Sequence, residues 1–167
     1  ATVTAALASG GAALSGTLST SAVAGVATFG NLILTGTIGP RTIRFTATGL
    51  TPDTSAVVTL AAGTPTALEY VQQPSAAVAG QVIAPPVTVR VRDGAGNTVT
   101  TATNAVAMTI GTNPGGSTLT GTLSANAVAG IATFGALSLN RAGAGYTLVA
   151  STAGLTSATS AAFAVTA

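Results

Sequence analysis

Hydrophobic and polar residues alternate along most of this chain. In "VTVRVRD" (87–93), Val87, Val89 and Val91 fall on one face and Thr88, Arg90 and Arg92 on the other. A period of two is the mark of a half-buried strand. "AVAMTIG" repeats it with Val106, Met108 and Ile110, "YTLVAS" with Tyr146, Leu148 and Ala150, and "AAFAVTA" with Phe163 and Val165. Between these runs lie "DGAGN" (93–97), "GTNPGG" (111–116) and "RAGAG" (141–145), clusters of Gly, Asn and Asp that suit turns needing positive φ. No segment has a helical period. Short strands separated by regular turns predict an all-β antiparallel sandwich.

The pattern is written twice. "LSGTLSTSAVAGVATFG" (14–30) matches "LTGTLSANAVAGIATFG" (119–135) at 13 of 17 positions without a gap, at an offset of 105 residues. The same offset places Gly49-Leu50 on Gly154-Leu155 and Leu60 on Val165. A unit of that length is too long for a solenoid repeat and suits one sandwich domain. In "GIATFG", Ala132 and Phe134 are predicted inward, with Gly130 at a turn. Leu137 and Leu139 have the opposite parity, and a bulge near Gly135 would bring both sets inside. Phe29 and Phe134 are expected to be the large aromatic anchors of two otherwise Ala/Val cores, each worth about 1.5–3 kcal/mol when buried.

Composition narrows the class. Charged residues make up 5% of the chain, aromatics 4% and apolar residues 47%, and mean hydropathy is +0.64. Yet Thr, Ser, Gly or Pro interrupts every apolar run well before the roughly 18 residues a spanning helix needs. The opening "ATVTAALASGGAALSG" lacks the basic region and unbroken apolar stretch of a signal peptide. The five arginines, Arg41, Arg44, Arg90, Arg92 and Arg141, are scattered, and no Lys extends them into a basic stripe, so nucleic-acid binding is not expected. There is no Cys for disulfides or thiolate metal sites.

Three segments in order, "LEYVQQPSAAVAGQVIAPPVTVRVRDGAGNTV", "GTLSANAVAGIATFGALSL" and "GYTLVASTAGL", resemble the bacterial immunoglobulin-like repeats of large secreted and cell-surface proteins, in the broad invasin- and intimin-like group. The resemblance covers 67–167 as a whole repeat and 1–62 as the rear part of another. It implies tandem immunoglobulin-like sandwiches, an extracellular or cell-surface location, and a spacer, stalk or adhesive role without catalysis.

The offset sets the expected domains at 1–62, the C-terminal part of a repeat lacking its opening strands, and 63–167, a complete repeat. Nothing in 1–62 matches 63–105. The counterparts of Leu68, Tyr70, Val87, Val89 and Val91 are therefore missing from the first repeat, and its sheet edges are expected to be open. Upstream chain, strands of a neighbouring copy, or a private packing onto the second domain would each close it. With so few charges, near-zero net charge favours association. These points lead to the expectation of a structural fibre or filament subunit assembling head to tail with copies of itself, or a stalk flanked by further repeats. The alternative is an adhesin that binds ligands through the loops "DGAGN" and "GTNPGG".

Catalysis has little to draw on. His, Cys and Lys are all absent, and Asp53, Glu69 and Asp93 are the only carboxylates. No enzymatic site and no cofactor are expected. Asp93 with Asn97 invites a calcium reading, but calcium takes six to eight oxygens, usually with several carboxylates, and a simple turn fits better. Glu69, Arg90 and Arg92 are placed on a solvent face by parity. The threonines of "TVTTAT" (98–103) are read as the polar face of one strand.

Overall fold

The computed structural model describes all 167 residues, Ala1–Ala167, as strands and turns without a helix. Two compact units result, Ala1–Ala62 and Gly63–Ala167. The architecture is the all-β antiparallel sandwich expected from the alternation.

The first unit contains β1 (Thr2–Ser9), β2 (Ala12–Ser15), β3 (Ser19–Ser21), β4 (Ile33–Gly36), β5 (Gly39–Thr46), β6 (Asp53–Thr54) and β7 (Val58–Leu60). One sheet runs β3-β1-β5-β6, with β7 also on β5, and β2 pairs with β4. All of these pairings are antiparallel. Among its apolar residues only Ala5 and Ile43 are buried. Phe29 and Phe45 stack on each other at 5.4 Å and a 50° tilt, and both stay partly exposed.

The second unit contains β8 (Pro65–Gln72), β9 (Ala77–Val78), β10 (Val87–Asp93), β11 (Ala105–Ile110), β12 (Leu119–Thr120), β13 (Ser124–Asn126), β14 (Ile131–Phe134), β15 (Ser138–Leu139), β16 (Gly143–Tyr146), β17 (Leu148–Ser151), β18 (Ala158–Thr159) and β19 (Phe163–Thr166). Its sheets run β14-β10-β8, β13-β11-β17-β18 and β16-β19-β9, with β12 on β15. Only β9 and β19 pair in parallel. Every inward position read from the alternation on β10, β14, β17 and β19 is buried, and Val87, Val89, Val91, Phe134 and Leu148 are fully so. Leu137 and Leu139 are buried as well, because the ladder breaks at Gly135 and Ala136 between β14 and β15.

Two expectations fail. Phe29 is not the anchor of a first core: it is partly exposed while its counterpart Phe134 has no exposure at all. In the second unit β10 lies against the phrase containing Phe134, pairing Val87 with Phe134 and Val89 with Ala132. The first unit has no such strand, and residues 27–30 make no main-chain hydrogen bond and form no strand. The threonines at 98–103 are not one strand face either. Thr98 bridges to Arg92 and the chain then turns, with the Ala102 N–H donating to the Val99 carbonyl at 2.9 Å.

Candidate functional site

Two of the three carboxylates, Glu69 and Asp93, and two of the five arginines, Arg90 and Arg92, lie on β8 and β10. Cross-strand register sets Arg90 opposite Glu69 and Arg92 opposite Ala67. Arg90 donates through Nη2 (2.9 Å) and Nε (3.3 Å) to Glu69 Oε2. Arg92 Nε lies 3.3 Å from the same oxygen, close enough for ionic attraction but not aligned as a hydrogen bond. Parity placed these three on the outer face correctly. Arg90 also reaches Thr98 Oγ1 at 3.3 Å. Half-exposed pairs of this type are worth roughly 0–1 kcal/mol, so the cluster ties β8 to β10 without anchoring the fold.

Asp93 ends β10 and closes the "DGAGN" loop. Its Oδ1 accepts from the N–H groups of Ala95 (2.9 Å) and Asn97 (2.8 Å). Its Oδ2 accepts from Asn97 Nδ2 (2.9 Å) and the Gly63 N–H (2.8 Å). Hydrogen bonds to the ionised form, the Asn97 amide first and the Gly63 N–H next, lower its pKa from 3.8 to about 2. With three donors from the loop and one from Gly63, the carboxylate pins the turn and fastens the start of the unit to it. No group of three or more acidic, His or Cys side chains capable of holding a metal forms anywhere in the chain.

The "GTNPGG" loop is locked in the same way. Asn113 Oδ1 accepts from the Ser117 N–H (2.7 Å), and Asn113 Nδ2 donates to the Ser117 carbonyl (2.9 Å). Ser117 is buried and its hydroxyl donates to Asn140 Oδ1 at 3.0 Å. Tyr146 closes this end, donating through its hydroxyl to the Arg141 carbonyl at 2.9 Å. In both loops the principal side-chain acceptors, the Asp93 carboxylate and the Asn113 amide oxygen, are engaged by the protein's own donors.

Sequence reasoning missed two residues. Tyr70 is not simply one more core ring: its hydroxyl crosses the sandwich to donate to the Leu148 carbonyl at 3.0 Å and touches Met108 Sδ at 3.3 Å, and burial raises its pKa. The signal was a Tyr, not a Phe, on an inward strand position. Arg41 is 6% exposed in the first unit, at the place the offset assigns to Tyr146. It donates to the carbonyls of Pro40 (2.8 Å) and Thr37 and to Thr37 Oγ1 (3.1 Å), with no carboxylate beside it. Its Cδ and guanidinium fill the space over Gly10, and the guanidinium that over Gly39. The third carboxylate, Asp53, accepts from its neighbour Thr54 N–H at 2.7 Å. An open polar depression lined by Thr2, Thr4, Thr46, Ala47 and Thr48 contains no ionisable side chain.

No family model matches the chain, and no curated protein matches it. Solved structures do. A β-glycosidase from Bacteroides vulgatus aligns at 14% identity with a TM-score of 0.50, covering 95% of this chain and 20% of that one. A glycosyl hydrolase family 2 member from Bacteroides cellulosilyticus aligns at 14% identity with a TM-score of 0.50, covering 97% of this chain and 21% of that one. This chain thus spans about a fifth of the length of each. The likeness establishes the β-sandwich fold and extends to no invasin- or intimin-like group.

The same finding corrects the expectation of a fibre, filament or stalk subunit. Nearly the whole chain aligns with a minor part of two larger glycosidases, neither of them a filament subunit.

Proposed function

We propose that residues 1–167 are an accessory β-sandwich portion of a larger bacterial carbohydrate-processing protein, contributing scaffold and no catalytic group. The observation that carries this reading is the asymmetry of coverage: 95–97% of this chain against 20–21% of the two glycosidases. The disposition of the carboxylates agrees with it. Glycoside hydrolysis uses two carboxyl groups roughly 5–9.5 Å apart, one kept as acid and the other free as base or nucleophile. Here Glu69 is held by two arginines, Asp93 by three donors of its own loop and the Gly63 N–H, and Asp53 by its neighbour's N–H.

The test has two arms. In cells that make the protein, mass spectrometry of the polypeptide containing these residues should give a mass well above 15.7 kDa. The isolated chain should leave chromogenic β-glycosides and β-glucuronides unhydrolysed. A native polypeptide of 15.7 kDa, or hydrolysis that Glu69→Gln or Asp93→Asn abolishes, overturns the proposal.

A further inference from the structure

The first unit exposes an apolar face whose counterpart in the second unit is covered. Offset by 105, Val3 corresponds to Met108, Phe29 to Phe134, Leu32 to Leu137, Leu34 to Leu139 and Leu60 to Val165. All five partners in the second unit are at most 3% exposed, whereas all five in the first remain half-buried. Three segments of 63–105 pair along that face in the second unit. β10 pairs with β14 in the register Val87↔Phe134, Thr88↔Thr133, Val89↔Ala132 and Arg90↔Ile131, with β8 on its far side. The Gly80 N–H donates to the Leu139 carbonyl at 2.7 Å and the Ile83 N–H to the Leu137 carbonyl at 2.8 Å, and β9 pairs with β19 at Val165.

The acceptor in the first unit is already shaped. Val23 and Val26 exchange main-chain hydrogen bonds of 2.9 and 3.0 Å around Ala24 (φ 50°) and Gly25 (φ 80°). Val128 and Ile131 do the same, at 2.9 and 3.0 Å, around Ala129 (φ 49°) and Gly130 (φ 78°). In the second unit the Gly130 carbonyl accepts from the Val91 N–H at 2.8 Å, and alternation then turns the main-chain groups of Ala132 and Phe134 to β10. The corresponding groups of Gly25, Ala27 and Phe29 meet no main-chain partner.

We propose that this edge of the first unit is a strand-accepting site for an extended segment with the chemistry of β10: β-branched apolar residues at alternate positions, seated opposite Ala27 and Phe29, the strand antiparallel to 26–29. Main-chain pairing supplies the attachment and the alternate apolar side chains supply the fit. The occupant is a segment of the larger polypeptide, not a second copy of this chain. Within residues 1–167 the matching strand, β10, is already central between β14 and β8, and its three valines have no exposure. Donating it would dismantle the second unit. The source of the strand therefore rests on the accessory reading; the acceptor site does not.

The experiment joins a second copy of residues 63–105 directly ahead of Ala1 in the full chain and follows amide hydrogen exchange residue by residue. Exchange at Ala27 and Phe29 should slow on the order of 100-fold, approaching that of Ala132 and Phe134 in the same molecule. Val89→Pro in the added copy alone should return Ala27 to its rate in the original chain. Equal rates at Ala27 and Phe29 with and without the added segment, while Ala132 stays protected, overturn the site. Protection at Ala27 that rises with concentration in the original chain, together with a dimer in sedimentation, overturns the assignment of the occupant. Neither outcome depends on the native mass or on glycoside hydrolysis, so the two proposals fail separately.

Discussion

The phrases "AVAGVATFG" (22–30) and "AVAGIATFG" (127–135) differ at one residue, yet their fates differ over four. Residues 131–134 form β14, whereas residues 27–30 form no strand. Everything local is shared: the tight turn with its pair of positive φ angles, and Gly16 (φ 98°) and Gly121 (φ 104°) set against the carbonyls of Asn31 and Ala136. Even a serine switch is copied. Ser55 Oγ accepts from the Ile43 N–H at 3.0 Å and donates to the Ala56 carbonyl at 2.8 Å; Ser160 Oγ does so with Leu148 at 2.9 Å and Ala161 at 2.8 Å. What the first unit lacks is a counterpart of β8, β9 and β10. A strand is a relation between two segments, and a sequence that turns correctly still needs a ladder partner to become one.

The largest separation between the units should come from the paired phenylalanines. Phe134→Ala opens a cavity beneath β10 and should cost about 3–5 kcal/mol. Phe29→Ala removes a ring that is still partly wet and should cost about 1 kcal/mol. Both tyrosines, Tyr70 and Tyr146, lie in the second unit, so tyrosine fluorescence in urea reports that unit alone, and amide exchange at Ile43 reports the first. Equal costs would break the comparison.

The serines sharpen it. Ser160→Ala strands a buried N–H at Leu148 and should cost about 1–3 kcal/mol. Ser55 is less enclosed, water can replace it, and Ser55→Ala should cost under about 1 kcal/mol by the same two readouts.

Acid should separate the units further. The Asp93 carboxyl is held at about 2, below its ordinary 3.8, so its contribution is complete above roughly pH 4 and is lost as pH falls toward 2. The second unit's melting temperature should decline across that window, and Asp93→Asn should flatten the decline. The first unit has no such group in its turns, and its midpoint should not follow the same curve.

The smallest effect should be the same in both units. Ala24 and Ala129 occupy left-handed backbone at φ 50° and 49°, where Asn is better tolerated. Ala24→Asn and Ala129→Asn should each stabilise by about 0.5 kcal/mol, measured by the local readouts above. A gain in one unit alone would mean that the turn, too, depends on the missing strands.

Alternation and turn chemistry were enough to read the sandwich. The valines of β10 sit inward because a period of two on a pleated strand leaves no other choice once one face is apolar. The offset of 105 residues likewise named the pairs of equivalent positions. The polar sites were less legible. One carboxylate followed by Gly-Ala-Gly-Asn reads as a turn or as a metal loop, and only the four donors around Asp93 decide for the turn. Arg41 carried no signal, because a buried guanidinium whose two Nη atoms donate to nearby carbonyls depends on how β5 folds over Gly10 and Gly39.

The amino-acid sequence alone determined what each short segment prefers: the strand period, the Gly turns, and the duplication. Tertiary structure alone decided which of two nearly identical phrases became a strand, whether Phe29 or Phe134 was covered, and where each carboxylate spent its lone pairs. The physical reason is the range of the interactions. Backbone preference acts over a few residues, whereas burial and ladder hydrogen bonds require a segment from elsewhere in the chain, and for this phrase only the second unit contains one.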